Sequence, residues 1–155
     1  MRNPRASESL REAVRLERGG LLEKALVELS VAALSDDPAV LAQALRHQAD
    51  IHRARCQWDE ALGLARRSAD AARAAGLSEL EAEAINAEAA VHLTRRAFDI
   101  AEPLFERMLA ITGDPRVQGI ALQNLGISAA EQGHLEEARR RFMESHDRFD
   151  AAGYL

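Results

Sequence analysis

A four-fold internal repeat constrains the fold of this 155-residue chain more than any other feature. An alanine recurs at intervals of 36, 40 and 37 residues, and a second apolar residue follows four positions after each one. The two sets are Ala25, Ala61, Ala101 and Ala138, followed by Leu29, Ala65, Phe105 and Phe142. Residues at i and i+4 share one face of a helix. Each copy therefore predicts a helix with an apolar stripe.

The strongest internal match needs no gaps. Residues 38–76 align with 115–153 at a shift of 77, with eleven identities in 39 positions. Each segment opens with a proline that follows an aspartate, as in Asp37-Pro38. Aspartate suits the N-cap of a helix, and proline suits the first helical position, where no N–H is needed. Each segment closes on a glycine, Gly76 or Gly153, which ends helices readily because it reaches the left-handed conformation at little cost.

These helix-start and helix-end signals predict eight helices in four hairpins, with no strands. The predicted spans are 8–18 with 21–35, 38–55 with 58–75, 79–95 with 98–112, and 115–132 with 135–152. We expect one helical domain over 7–155, with repeats at 7–37, 38–76, 77–114 and 115–153, after a flexible tail at 1–6. Pro103 falls inside the sixth helix, so that helix either starts near Glu102 or kinks in its first turn.

The repeats resemble the tetratricopeptide repeat family, whose pattern is W-x2-L-G-x2-Y in the first helix and A-x3-F in the second. The last copy fits best, with Leu125-Gly126, Ala129, Ala138 and Phe142. The spacing is longer than the family's 34 residues, so the resemblance is to a tetratricopeptide-like repeat. It implies an all-α, right-handed α-solenoid of four antiparallel hairpins. Family membership of this kind does not fix a function.

The resemblance also implies a concave groove lined by the first helix of each hairpin. Such a groove would bind an extended peptide or a partner helix, because amides both donate and accept hydrogen bonds and isoleucines accept apolar side chains. By register, the groove positions are Gln43, Arg46, Asp50, Arg53, Glu83, Asn86, Ala90, Leu93, Ile120, Gln123, Asn124 and Ile127. We expect a non-catalytic protein–protein interaction module. The alternatives are a sensory domain for a small ligand or signalling peptide, in a bacterial transcription or signalling protein, and a structural dimerisation unit.

The last helix suggests a second surface. Leu135, Ala138 and Phe142 are expected to pack the hairpin, and the run Arg139–Arg141 is expected to be solvated charge. Repeat stacks usually finish on a polar face, whereas this helix is rich in large apolar residues. We expect assembly there, with another copy or with further repeats of a longer protein. The predicted assembly residues are Phe142, Phe149, Tyr154 and Leu155.

Composition argues against several other functions. The net charge of −5 and the lack of a dense basic patch argue against nucleic acid. No stretch approaches the ~20 apolar residues of a membrane helix. Cys56 is the only cysteine, which excludes an internal disulfide and favours a reduced, cytoplasmic setting. The histidines lack metal-ligand spacing, so we expect no metal, no cofactor and no enzymatic activity.

Overall fold

The structure, a computed structural model, describes residues 4–154, and all regular secondary structure in that range is α-helical. The predicted all-α class is therefore confirmed for the described residues. Their eight helices are α1 (Pro4–Arg18), α2 (Leu22–Ala32), α3 (Pro38–Ala54), α4 (Trp58–Ala74), α5 (Ser78–Thr94), α6 (Phe98–Ile111), α7 (Pro115–Glu131) and α8 (Leu135–Ala151). Apart from the start of α1 and the end of α2, every boundary lies within one residue of its prediction.

The start of the chain differs from the prediction. Residues 4–6 were expected in a flexible tail, but α1 begins at Pro4 and Ala6 is fully buried. Ala6 continues the stripe formed by Leu10 and Ala13, and all three belong to one apolar cluster with Leu29 of α2. Because burial of this apolar stripe stabilises the helix, α1 extends to Pro4. Residues 1–3 of the predicted tail lie outside the described range.

Helix α6 excludes one of the two alternatives raised by Pro103. The helix starts at Phe98 and runs through the proline, so a later start near Glu102 is wrong. The first turn is closed before the proline by a hydrogen bond from the Ala101 N–H to the Ala97 carbonyl at 3.0 Å. Pro103 removes only one N–H from the helix and its ring is exposed, so the helix continues past it.

The turns between paired helices share one geometry. Gly20 and Gly133 adopt φ values of 75° and 80°, as expected for glycines that end helices. Cys56 and Arg96 occupy the corresponding positions at φ 58° and 60°, although neither is glycine. After Cys56, the Gln57 N–H donates to the carbonyl five residues back at 2.9 Å. The same bond follows the other three residues, so the turn is set by the helix-end hydrogen bonds.

The described residues pack into two compact units, one up to Glu88 and one from Ala89 onward. In the first unit, α1 pairs with α2, α3 pairs with α4, and both α1 and α2 pack on α3. Its core contains many alanines, which allow the helices to approach closely. A second cluster joins Ala49, Ala65 and Ala87, so the middle of α5 packs on α4.

In the second unit, α7 pairs with α8 and α6 packs on α7. Phe105, Met108 and Val117 are among its largest fully buried side chains. Two close contacts also join α7 to α8. The Phe142 ring lies directly over Gly126, and the Phe149 ring lies over Gly119. Both glycines and both phenylalanines are seven residues apart, so this contact repeats after two helical turns.

Candidate interaction surfaces

The twelve predicted groove residues lie on the first helices of the hairpins, α3, α5 and α7. Eleven are half-buried and Gln123 is exposed, so all of them retain access to solvent. The first unit contains six of the residues and the second unit contains the other six. The first set is Gln43, Arg46, Asp50, Arg53, Glu83 and Asn86, and the second is Ala90, Leu93, Ile120, Gln123, Asn124 and Ile127.

In the first unit, ion pairs connect three of these positions. The Arg46 guanidinium lies 3.5 Å from an Asp50 oxygen one turn along α3 and 3.5 Å from a Glu83 oxygen on α5. The predicted positions on α3 and on the first part of α5 are therefore neighbours. Arg46 and Glu83 are both more than three-quarters buried, so solvent screens their attraction less than it screens a surface pair.

Asp50 is the groove residue whose protonation is most affected by the fold. Burial raises the pKa of its carboxyl group, while the positive charges of Arg46 and Arg53 oppose that increase. His47 also lowers this pKa, and the carboxylate of Glu17 raises it. His47 Nδ1 lies 3.0 Å from a Glu17 oxygen, which joins α1 to α3. These side chains, which we call the charged strip, therefore form a partly buried cluster of positive and negative groups.

Arg53 adds a second arginine side chain to this strip. Its Nε atom is buried and makes no hydrogen bond within residues 4–154, and the same holds for Arg46 Nε. Because these Nε atoms are inaccessible to a ligand, donation to a carbonyl or carboxylate would come from the terminal N–H groups of the two half-buried side chains. Gln43 uses part of its amide locally, donating to the Ala39 carbonyl at 3.1 Å.

In the second unit, the predicted residues form a mixed polar and apolar strip on α7. Ile120 and Ile127 are seven residues apart and half-buried, and the exposed Gln123 lies between them in sequence. At the end of α5, Ala90 and Leu93 are also half-buried. This spacing allows the two isoleucines to share one face of α7.

The predicted assembly residues of α8 are only partly exposed. Phe142 keeps 40% of its surface accessible although one edge packs on Gly126, and Phe149 is half-buried on Gly119. Tyr154 is exposed and stacks edge-to-face with Phe149, with ring centroids 6.3 Å apart. Leu155 lies outside the described residues.

Two residues that the prediction did not assign to assembly are more exposed than Phe142. Leu135, expected to pack the hairpin, is 70% exposed, and Met143 is 59% exposed. The prediction for Leu135 was therefore wrong, because its side of α8 is left uncovered in the described structure. These side chains border an open groove of about 620 Å³, lined by Ala130, Leu135, Ala138, Arg139, Phe142, Met143, His146 and Asp147.

The arginine run has divided roles. Arg141 binds Glu137 on its own helix and Glu106 on α6, each at 2.9 Å, and it is four-fifths buried. Arg140 also pairs with Glu137, and hydrogen bonds from Arg140 and then Arg141 lower the pKa of that carboxyl group. Arg139 is exposed on the border of the apolar groove. Only Arg139 and Arg140 therefore fit the expected solvated charge.

Cys56 is a free, exposed thiol. His52 Nδ1 and the side-chain oxygen of Gln57 form a hydrogen bond of 2.7 Å at the turn after α3. Among residues 4–154, no three or more His, Cys, Asp or Glu side chains are grouped as metal ligands would be.

The helices of the described range are too short or too polar to span a bilayer. Comparison with protein-family models gives no match for this sequence, and no curated protein is significantly similar to it.

Proposed function

We propose that this protein is a non-catalytic interaction module built as a right-handed, tetratricopeptide-like solenoid. Its first helices would line a groove that binds a peptide or a partner helix. The support is the agreement of four equivalent hairpin turns, two Asp-Pro helix starts and twelve solvent-accessible groove positions. Each feature follows the register of the sequence repeat.

The observation that carries the proposal is the strip of charged residues on α3. Arg46 pairs with Asp50 and Glu83, and Arg53 places a second positive charge near Asp50. A peptide carbonyl or carboxylate beside them would receive hydrogen bonds from fixed, charged donors. Such bonds are stronger than those between neutral groups. Because Asp50 and Glu83 add negative charge to the same strip, we expect a peptide with both polar and basic groups.

The experiment is a selection of peptides from a displayed random library on the immobilised protein. The affinity of the best peptide is then measured by fluorescence anisotropy. We expect Arg53→Ala to weaken binding about tenfold, the effect of losing one charged hydrogen bond. The matched control is Arg67→Ala, which removes the same group from the exposed surface of α4.

Gln123→Ala tests the second part of the predicted groove in the same assay. It removes an exposed amide without changing charge, and we expect a weaker loss of affinity than for Arg53→Ala. Equal affinities for wild type, Arg53→Ala and Gln123→Ala would contradict the groove. So would a selection that yields no specific peptide while the protein remains folded by circular dichroism.

A further inference from the structure

The exposed surface of α8 is apolar at its centre and charged at its edges. We define the α8 face as Leu135, Arg139, Phe142, Met143, His146 and Asp147, which border the groove of about 620 Å³. Leu135 and Met143 are each more than half exposed. Large contiguous apolar patches on soluble domains usually mark interaction sites. The α8 face shares no residue with the predicted peptide groove, whose positions lie on α3, α5 and α7.

The second hairpin shows what the corresponding face of another helix contacts. At the shift of 77 residues, Phe142 corresponds to Ala65 and Met143 to Arg66. Ala65 is fully buried in a cluster with Ala87 of α5, and the Arg66 Nε donates to Glu88 of α5 at 2.9 Å. On α4, this face is therefore covered by a helix. The same register on α8 is exposed, so a helix is the natural occupant.

The first hairpin of another copy is a poor candidate for that helix. The exposed side of α1 is charged, and packing it on the α8 face would bury those charges against apolar side chains. The exposed charged residues of α1 are Arg5, Glu8, Arg11, Arg15 and Arg18. The exposed Leu21, just before α2, and the exposed Val27 on α2 are interrupted by Lys24 and Glu28. A head-to-tail contact is therefore disfavoured.

The α8 face does complement itself. Residues four apart form a ridge along a helix, and the ridge through Met143 reads Leu135, Arg139, Met143, Asp147 and Ala151. In the opposite direction the same ridge has the acidic residue where the basic one was, and the reverse, while the apolar positions stay apolar. An antiparallel pair of α8 helices centred on Met143 would therefore place Arg139 opposite Asp147 twice. All five residues are exposed.

We propose that two copies of this protein associate through the α8 face as an antiparallel, two-fold symmetric pair. Met143 of each copy meets its counterpart at the axis, and Phe142 packs beside it. Arg139 of each copy pairs with Asp147 of the other. The contact uses the same surface on both copies, so it closes at two and does not grow into a filament.

The test measures the mass of the purified full chain by sedimentation equilibrium over a wide concentration range. We expect a monomer–dimer equilibrium with no larger species. Met143→Glu places two carboxylates together at the axis and should raise the dissociation constant at least about tenfold. The control is Arg67→Glu, which reverses a charge on the exposed surface of α4 and should leave the equilibrium unchanged. Circular dichroism checks that each variant is folded.

Charge exchange tests the register directly. Arg139→Glu and Asp147→Arg should each weaken self-association, because each puts like charges opposite one another. An equimolar mixture of the two single variants should form a heterodimer, since both of its cross-pairs are again of opposite charge. The double variant should dimerise like the wild type.

Several outcomes would overturn the proposal. A wild type that stays monomeric at every concentration would show that the α8 face does not bind a second copy. A dimer that persists in Met143→Glu would place the contact elsewhere. Mass that keeps increasing with concentration would indicate a head-to-tail assembly. Two single variants that fail to associate when mixed would reject the antiparallel register. None of these results would affect peptide binding, which is scored with Arg53→Ala.

Discussion

The Ser145 hydroxyl donates a hydrogen bond to the backbone carbonyl of Gly119 at 2.8 Å, and this contact joins α8 to α7 inside the second unit. The first unit contains its counterpart, in which Ser68 of α4 donates to the carbonyl of Ala42 on α3 at 2.6 Å. Both partners of the first bond lie 77 residues after those of the second. The internal repeat therefore preserves a buried contact between helices as well as a pattern of residue types.

We expect the replacement of either serine by alanine to lower the free energy of unfolding by about 1 kcal/mol, or somewhat more, because the carbonyl loses a buried partner. The control is Ser30→Ala, which should have a smaller effect. The Ser30 hydroxyl donates to the Leu26 carbonyl within α2, and that bond is exposed to solvent. Urea unfolding followed by circular dichroism measures all three. Equal losses for Ser30→Ala and Ser145→Ala would show that the buried bonds add nothing beyond local helix effects.

Two glycines inside helices should respond in opposite ways to alanine. At Gly126 a Cβ atom would lie 2.7 Å from the Phe142 ring, so the ring would have to move, at a cost of about 1–3 kcal/mol. At Gly63, inside α4, a Cβ atom would meet nothing within 4 Å. We expect Gly63→Ala to stabilise the protein by about 0.5–1 kcal/mol through helix propensity. Thermal and urea unfolding of both variants check the signs, and a stabilising Gly126→Ala would contradict this packing.

The shared turn geometry gives a third prediction. Cys56 holds a left-handed conformation at φ 58°, which costs an L-residue roughly 1–2 kcal/mol. Cys56→Gly should relieve that cost and raise stability by up to about 1 kcal/mol, since part of the gain is offset by glycine's greater freedom when unfolded. Gly133→Ala should lower stability by about 1 kcal/mol for the converse reason. Differential scanning calorimetry compares them, and changes of the same sign would argue against this account of the turns.

Asp50 gives a prediction for pH. Its folded-state pKa is raised above the ordinary value of 3.8, so the fold favours the neutral acid. This contribution is fully present below the ordinary value and is lost as pH rises through the folded-state pKa. Asp50→Asn mimics the neutral form, so its stability relative to wild type should increase over that interval and then level off. Because 35% of the side chain remains exposed, we expect a modest change.

Urea unfolding of wild type and Asp50→Asn between about pH 3 and about pH 8 tests this trend. NMR titration of the Asp50 carboxyl carbon measures the pKa directly. If the wild type instead gained stability relative to the variant as pH rose, the positive charges of Arg46 and Arg53 would outweigh burial. That result would reverse the sign of the shift.

The helices were predictable because their ends carry local signals. Asp37 and Asp114 cap α3 and α7 as expected, and each side chain accepts a hydrogen bond from the N–H two residues later. Such signals act within one helical turn. The start of α1 was missed although Asn3 before Pro4 is a sequence signal of the same kind. The packing of Ala6 into the apolar cluster with Leu29 favours the earlier start, and that contact is not local in sequence.

The missed features of the surface depend on contacts between helices. Nothing local distinguishes Leu135, which is exposed, from Leu122, which is buried in α7, because the difference is what lies beside each one. The pairing of Phe142 with Gly126 has a signal in the sequence, because a second phenylalanine lies seven residues from Phe142 and a second glycine lies seven residues from Gly126. That signal becomes specific only when the two helices are known to pack together.

The exposed turn at Cys56 has a practical consequence. The chain has one thiol, and it lies on the surface at the end of α3. A maleimide dye or a nitroxide label would therefore modify a single known position without any engineered cysteine. In a two-fold pair, the two labels would report one intermolecular distance by energy transfer or electron spin resonance, and a bound peptide could be followed in the same labelled sample.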